Sequence, residues 1–294
     1  MNILVTGANG QLGRELRIVA VQSDNRYVFA DIVPASGLDT LILDVTDEAA
    51  VCAAVREYNI DVIVNCAAYT DVNKAEFDKE RCGILNADVP GILASAAKLV
   101  EGLLIHISTD YVFDGRSDRP YREDDPVCPE SVYGQTKSDG ETAVKDSGCR
   151  YVIIRTSWLY SEFGKNFVRT ILALTSEKQQ IKVVADQTGT PTYALDLATL
   201  IFDIIENDKA EGNEGVYHYS NEGACTWYEF AKTIAVYSGH DGCEILPCST
   251  EEFPSPARRP LFSVLDKSKV RYVFGVGIPQ WTDSLRKCLN NIAE

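Results

Sequence analysis

The stretch that constrains the fold most is TGANGQLG at residues 6–13, which directly follows the apolar run ILV at residues 3–5. It places Gly7, Gly10 and Gly13 at three-residue intervals. Glycines in this spacing let the chain turn tightly, approach a pyrophosphate and pack a helix against a strand, while amides at the helix N-terminus face the phosphates. A simple strand-to-helix turn can carry the same glycines, so the context of the loop decides between the two interpretations.

Alternating strands and helices supply that context. Strands are predicted at residues 3–6, 27–31, 61–65, 103–108 and 151–156, with helices at 11–21, 48–58, 82–100 and 132–146 between them. This alternation predicts an α/β fold with a doubly wound parallel sheet, the Rossmann arrangement. After about residue 158 it loosens, and helices are predicted at 166–175, 195–207 and 227–238. We expect a Rossmann domain over 1–158 and a smaller α/β substrate lobe mainly over 159–294, with about 185–218 returning to the first domain.

The second predicted strand ends in FADI, which places Asp31 where it can accept a hydrogen bond from a ribose hydroxyl. With the glycine loop, this predicts a dinucleotide site. An acid at that position would repel a 2′-phosphate, so NADH is expected to be accepted; Arg14 or Arg26 could fold in and admit NADPH. Asp44 in LDVTD and the segment NCAAYT at 65–70 follow later strands and could contact the adenosine.

Tyr133 and Lys137 lie four residues apart in a predicted helix and therefore share one face. Two polar residues on a solvated helix are the plainer interpretation, but STDYVF at 108–113 is predicted at the carboxyl end of a strand, where ligands bind in an open parallel sheet. For carbonyl reduction, we expect Tyr133 to protonate the developing alkoxide and Lys137 to lower the pKa of that phenol and hold the nicotinamide ribose. Thr109 or Ser108 would hydrogen-bond the oxyanion.

At these residues the chain resembles the extended short-chain dehydrogenase/reductase family, through TGxxGxxG, STDYVF and YxxxK. Within it, the chain is similar to the dTDP-4-dehydrorhamnose reductases in GQLGREL, NCAAYTDVNKAE, STDYVFDG, RTSWLY, GKNFVRTIL, DQTGTPT and RRPLFSVLD. The resemblance implies reduction of the C4 ketone of dTDP-4-dehydro-L-rhamnose to dTDP-L-rhamnose by NADH or NADPH. It also implies that Thr109, Tyr133 and Lys137 form the catalytic set.

Binding residues follow from the motifs and the resemblance. Those expected at the cofactor are Gly7, Asn9, Gly10, Gln11, Leu12, Gly13, Asp31, Asp44, Val45, Ala67, Ala68, Tyr69, Asn86, Tyr133 and Lys137. Those expected at the sugar nucleotide are Ser108, Asp110, Tyr111, Trp158, Lys165, Asn166, Gln187, Arg258 and Arg259. A sugar nucleotide carries a diphosphate, and Lys and Arg side chains suit it because they bind phosphate oxygens, Arg in a bidentate fork.

The amino-acid composition limits the kinds of molecule that the chain is expected to bind. Lys and Arg number 28 against 43 Asp and Glu, giving a formal charge of −15, which argues against broad binding to nucleic acid or an anionic membrane. The nine cysteines are scattered without a CxxC pair, and only three histidines are present, which disfavours a zinc site or a disulfide framework. We expect a cytoplasmic protein with a small-molecule substrate.

Magnesium is a special case. Some relatives pair through a magnesium ion held by acidic side chains at the subunit contact, and Glu15 matches one such position. The position that would carry another acid is Leu195, and Asp196 lies one residue away, which turns a side chain by about 100° on a helix. The sequence therefore does not favour the metal, and leaves monomer and homodimer both open.

Two other functions compete. A sugar-nucleotide epimerase uses the same acid and cofactor but returns the hydride. The regulatory subunit of methionine adenosyltransferase resembles the same reductases and binds a dinucleotide while serving as a partner protein. Retention of Thr109, Tyr133 and Lys137 favours catalysis over the second alternative.

Overall fold

A computed structural model describes residues 1–240 and 242–293. Its strands are β1 (Asn2–Thr6), β2 (Arg26–Asp31), β3 (Leu41–Ile42), β4 (Val62–Asn65), β5 (Leu103–Thr109), β6 (Arg150–Thr156), β7 (Leu159–Tyr160), β8 (Gln180–Val184), β9 (Thr188–Gly189), β10 (Thr192–Tyr193), β11 (Gly215–His218), β12 (Cys225–Thr226) and β13 (Glu244–Cys248). Seven of them form one parallel sheet in the order β11-β6-β5-β4-β1-β2-β3. The strand order reverses between β1 and β4, so the predicted doubly wound sheet is confirmed.

The helices are α1 (Gln11–Ala20), α2 (Glu48–Glu57), α3 (Val72–Ala75), α4 (Lys79–Gly83), α5 (Val89–Leu99), α6 (Val132–Asp146), α7 (Phe167–Glu177), α8 (Ala194–Glu206), α9 (Trp227–Tyr237), α10 (Ser268–Phe274) and α11 (Trp281–Ala293). None of the helices in the described ranges has the length and apolar character that a membrane crossing requires.

One predicted helix differs. The segment 82–100 is divided into α4, a π-helical turn at Ile84–Asp88, and α5. Pro90 stands in the first turn of α5 and has no N–H to donate to the Asn86 carbonyl four residues earlier. That carbonyl instead faces α6, where a Cβ added to Gly140 would lie 2.1 Å from it. The break therefore combines a proline with close approach of a neighbouring helix.

Both faces of the sheet are buried. On one face α1, α8 and α10 pack against β1, β4, β5, β6 and β11, and on the other α2, α5 and α6 pack against the same sheet. The β-branched strand runs are apolar on both sides because helices cover both sides. Thus α8, β11 and α10, although late in the chain, contribute to the same core as the first strands.

A separate apolar cluster forms the second lobe. It brings together α7, α9 and α11 with Tyr160 and Tyr193 and the two-stranded pair β8 and β13. This lobe packs beside the carboxyl ends of the central strands, and a cleft lies between it and the sheet. Ligands of open α/β sheets bind at that edge, near the reversal of strand order.

Candidate active site

The cleft has a volume of about 940 Å³ and draws its lining from both parts of the molecule. Its glycine-loop wall comprises residues 7, 10–12, 31–32, 43–46 and 65–68. Its second-lobe wall comprises residues 156–159, 164–165, 227 and 259. Residues 107–111, Tyr133 and Lys137 line the part between the two walls.

The glycine loop is packed so tightly that Gly7 and Gly13 are required. Gly7 has φ +63°, and a Cβ there would lie 2.6 Å from the backbone nitrogen of Ala67. A Cβ at Gly13 would lie 2.5 Å from Cα of Ala8, so α1 can approach β1 only without a side chain. A Cβ added to Gly10 would lie 3.2 Å from the Gly7 carbonyl oxygen. Gly10 lines the cleft at the start of α1. This arrangement fits a pyrophosphate over the helix N-terminus.

Asp31 supports the loop as well as lining the cleft. Its carboxylate accepts hydrogen bonds from the backbone N–H of Asn9 at 2.9 Å and of Ile32 at 2.8 Å. Arg14 donates to the Asn9 carbonyl and lies over the Phe163 ring, so its guanidinium is engaged beside the loop. Arg26 instead lies over the Tyr58 ring.

A cation that sequence reasoning missed, Arg81, lines the cleft from α4. No motif marks it, because it belongs to a short polar helix. Its position depends on how α4 packs beside the loop that follows β4.

Tyr133 and Lys137 are placed by the start of α6. The Ser131 hydroxyl caps this helix by accepting from the Gly134 N–H at 3.1 Å. Gly134 lets the first turn approach the segment Asp110–Val112, since a Cβ there would lie 2.2 Å from the Tyr111 carbonyl oxygen. The Tyr111 and Tyr133 rings meet edge to face at 5.5 Å. Tyr133 and Lys137 therefore face the cleft from one side of α6, as their spacing predicts.

The expected acidification of Tyr133 is wrong for the protein in this state. Burial raises the pKa of its phenol well above the ordinary value, and the charge of Asp110 adds to the rise while the Thr109 hydroxyl opposes it. Burial outweighs the lysine because the phenolate would lose its hydration.

Lys137 is only 2% exposed, and its Nζ donates to the Ile107 carbonyl at 2.5 Å. Burial lowers the pKa of its ammonium to about 8, against the opposing charge of Glu141 on the same helix. The lysine is therefore able to exchange a proton near neutral pH, whereas Tyr133 retains its own.

The strand end before α6 provides the remaining polar groups. The Thr109 hydroxyl donates to Asp110 Oδ1 at 3.0 Å, and the other carboxylate oxygen of Asp110 is buried without a hydrogen-bond partner among the described residues. Burial raises the pKa of Asp110 to about 6. The Ser108 hydroxyl turns the other way and donates to Glu141 at 2.6 Å, which pairs with buried Arg155.

The second-lobe wall presents an aromatic stack. Trp158 has φ +48° and its ring stacks on Trp227 with centroids 3.5 Å apart. Gly189 lies against the Trp158 ring, where a Cβ would approach within 2.6 Å. Trp227 was not expected from sequence, because it opens α9 after a capping box at Thr226, a signal of helix start and not of a ligand.

The residues predicted to bind the sugar nucleotide from the second half of the chain separate into those that line the cleft and those that do not. Lys165 and Arg259 line the cleft. Arg258 is 64% exposed along its side chain and pairs with Glu130 at 2.7 Å, outside the cleft lining. Asn166 donates to Gln11 Oε1 at 2.9 Å and caps α7, so it connects the second lobe to the glycine loop. Gln187 is 3% exposed and donates to Thr250.

Four residues expected at the cofactor lie behind the lining. Gly13 packs against Ala8, and Asn9 donates to the Val33 carbonyl at 2.7 Å. Asn86 accepts from the Tyr69 N–H at 2.8 Å and donates to its carbonyl at 3.0 Å. These residues shape the backbone of the wall. The remaining predicted cofactor residues all line the cleft.

The acidic residues considered for a shared magnesium ion are buried or hydrogen-bonded within the chain. Glu15 is 0% exposed, and burial, helped by nearby Glu162, raises the pKa of its carboxyl to about 9. Leu195 is buried as well, and Asp196 accepts from Ser284 and Asn221. Across residues 1–240 and 242–293, no three His, Cys, Asp or Glu side chains are grouped to hold an ion.

Comparisons with known proteins identify the family of the chain. The family model described as the RmlD substrate binding domain matches residues 1–294. A dTDP-4-dehydrorhamnose reductase of Burkholderia thailandensis is 38% identical, over 99% of both chains. The crystal structure of a dTDP-4-dehydrorhamnose reductase from Clostridium acetobutylicum is 40% identical with a TM-score of 0.93, covering 100% of both chains. One from Bacillus anthracis, in complex with NADP, is 37% identical with a TM-score of 0.89, covering 99% of both.

Proposed function

The chain belongs to the RmlD substrate binding domain family, and we propose on that premise that it reduces the C4 ketone of dTDP-4-dehydro-L-rhamnose to dTDP-L-rhamnose with NADH or NADPH. It is an NAD(P)H-dependent oxidoreductase. The observation that carries the proposal is that Thr109, Tyr133 and Lys137 line the same cleft as the glycine loop. The full-length similarity to reductases with this name supports the substrate assignment.

The bound dinucleotide supplies the hydride. Tyr133 gives its phenolic proton to the C4 oxygen as charge develops there, and the Thr109 hydroxyl donates a hydrogen bond to the same oxygen. The raised pKa of Tyr133 keeps the phenol protonated at neutral pH, which a proton donor requires. Lys137 holds the nicotinamide ribose, and its pKa of about 8 suits the return of a proton to the tyrosine.

The substrate is held from the second-lobe wall. Asp110, Tyr111 and Trp158 contact the sugar, and Lys165 and Arg259 neutralise the diphosphate. Residues 1–158 form the dinucleotide-binding domain, and 159–294 contribute mainly to the substrate lobe, with about 185–218 returning to the first domain, whose core α10 also joins. The cofactor contacts follow the same division, with the glycine-loop wall carrying most of them.

The charged side chains that line the cleft are compatible with both cofactors. Asp31 disfavours a 2′-phosphate, whereas Arg81 in the cleft lining favours an anion, so both NADH and NADPH are used. The similar Bacillus anthracis protein was crystallised with NADP. We place the reaction in the cytoplasm, where nucleotide sugars and reduced cofactor are made and where nine free cysteines remain reduced. The active unit is a monomer or a homodimer without a shared metal.

The test is oxidation of NADH or NADPH by the purified protein with dTDP-4-dehydro-L-rhamnose, beside a small panel of other nucleotide 4-ketosugars. One cofactor consumed for each dTDP-L-rhamnose formed is the expected result. An epimerase would convert sugar without net consumption of cofactor. No turnover of any 4-ketosugar, with co-purification of a synthetase, would support the regulatory-subunit alternative instead.

A further inference from the structure

A chain of buried polar side chains runs behind the catalytic lysine. The Thr6 hydroxyl lies 2.8 Å from Asn65 Oδ1, Asn65 Nδ2 lies 3.1 Å from His106 Nδ1, and His106 Nε2 lies 3.5 Å from Lys137 Nζ. Each of these four side chains is at most 2% exposed. Asn65 and His106 are direct neighbours in the pairing of β4 with β5, so the sheet fixes their contact.

The orientation of the Asn65 amide is determined by its backbone neighbour. The N–H of Ala67 points to Asn65 Oδ1 at 3.1 Å, and a backbone N–H can only donate. The oxygen of the amide is therefore on the side of Ala67 and Thr6. The NH₂ group is left facing His106.

That orientation determines where the histidine proton lies. Asn65 Nδ2 donates, so His106 Nδ1 must accept, and a neutral imidazole then carries its proton on Nε2. Burial and the charge of Lys137 hold the pKa of His106 well below its usual range, so the ring is neutral. Its Nε2–H consequently faces a lysine nitrogen that, as an ammonium, is also only a donor.

The other fully buried histidine has the opposite arrangement. His218 Nδ1 lies 3.1 Å from the Tyr121 carbonyl oxygen, which can only accept, so the proton is on Nδ1. Its Nε2 then accepts from Arg155 Nη1 at 3.4 Å. A buried histidine beside a permanent cation thus turns an acceptor toward it, whereas His106 turns a donor toward Lys137.

We propose that His106 is a positioning residue for the reductase reaction: Asn65 holds its imidazole in the Nε2–H tautomer, and this N–H opposes protonation of Lys137 while offering the neutral amine a hydrogen bond. The lysine can therefore lose its proton more readily. A neighbour that accepted a hydrogen bond from the ammonium would instead stabilise the protonated form. This role deepens the proposed function and rests on it, since Lys137 acts at the nicotinamide ribose and beside Tyr133.

The other titratable groups around Lys137 do not replace this effect. Glu141 on α6 favours the ammonium through its charge, whereas burial raises the pKa of the thiols of Cys82 on α4 and Cys66 after β4, so both thiols are uncharged near neutral pH. His106 on β5 is the neighbour whose hydrogen-bonding direction acts the other way. The protonation of Lys137 therefore depends on burial and the His106 N–H, which oppose the ammonium, and on the charge of Glu141, which favours it.

The tautomer is measured directly by nitrogen-15 NMR of the imidazole rings in the full chain with uniformly labelled histidine. The chain has three histidines, so His218→Asn and His240→Asn variants assign the signals. We expect a protonated Nε2 at His106 and a protonated Nδ1 at His218. A protonated Nδ1 at His106 would overturn the proposal, and this readout does not depend on whether any ketosugar is turned over.

The effect on Lys137 is tested with His106→Asn. The shorter amide can still present an acceptor to Asn65 but deletes the N–H that faces the lysine, so the ammonium is favoured and persists to higher pH. We expect the alkaline loss of kcat/KM, and of NADPH binding followed against pH, to move up by about 0.5–1 pH unit. His240→Asn, a partly exposed residue beside Thr175, is the matched control and should leave the profile unchanged. Lower kcat at every pH with an unmoved alkaline limb would reduce His106 to a structural role and refute the proposal.

Discussion

The two walls of the cleft are built in different ways. The glycine-loop wall is formed largely by backbone, from a few residues that directly follow strands of one sheet, with Gly7 and Gly13 in contact with neighbouring main chain. The second-lobe wall is formed by side chains from separate segments, including Trp158, Trp227 and Arg259. Backbone contacts depend on local chain geometry, whereas side-chain contacts depend on how distant segments pack. The two walls should therefore respond differently to substitution.

The largest expected effect is a loss of kcat without a loss of ligand binding at either wall. Tyr133→Phe removes only the phenolic hydroxyl, so kcat should fall about 100-fold or more. Dissociation constants for NADPH and for the sugar nucleotide, measured by calorimetry, should change little, because neither wall is altered. A kcat close to that of the unmodified protein would show that another group donates the proton.

The glycine-loop wall should fail when a single methyl group is added. In Gly13→Ala the new Cβ meets Ala8 at 2.5 Å, and backbone must shift to relieve the contact. We expect cofactor affinity to fall about 10- to 100-fold, the equivalent of about 1–3 kcal/mol of overpacking. Gly83→Ala is the control, since nothing lies within 4 Å of a Cβ there. Equal cofactor affinity in both variants would contradict the backbone character of this wall.

The second-lobe wall should distinguish two adjacent arginines. Arg259→Gln removes a cation from the cleft and should raise KM for the sugar nucleotide about 10-fold, the lower end expected for a charge-assisted hydrogen bond. Arg258→Gln removes a partner of Glu130 outside the cleft lining and should change KM less than about 2-fold. Similar increases in KM for the two substitutions would mean that overall charge, and not the position of Arg259 in the cleft, determines substrate binding.

The smallest expected effect concerns Glu15 of α1, which lies near Glu162 where the first domain meets the second lobe. The pKa of Glu15 on α1 is about 9 in the fold and near 4.5 in the unfolded chain, so the folded state binds the extra proton between those values. The contribution of the Glu15 side chain to the free energy of unfolding is fully present below about pH 4.5 and declines as pH rises toward 9. Glu15→Gln should remove that decline and raise the Tm at pH 8 by about 2–4 °C, with little change at pH 5.

Glu57→Gln, at an exposed position of α2, is the matched control for that substitution. Calorimetric scans at both pH values distinguish the outcomes. A Tm that falls equally at pH 5 and pH 8 in Glu15→Gln would mean that shape complementarity, and not the buried proton, determines stability at this contact.

Much of the sheet was predictable because strand and helix periods are local. The helix predicted at 132–146 has the same bounds as α6, and the strand predicted at 151–156 differs from β6 by one residue. The break at Ile84–Asp88 was not predicted, because its cause includes the close approach of Gly140 from another helix. No window of sequence around residue 86 contains that neighbour.

At the site, the sequence by itself determined the glycine loop and the shared face of Tyr133 and Lys137, because spacing along one strand or one helix fixes which residues lie together. Only the tertiary structure decided that Arg259 and not Arg258 lines the cleft, that Trp227 stacks on Trp158, and that burial raises the pKa of Tyr133. Hydration and charge at a buried group are set by every segment packed around it, and those segments are remote in the chain.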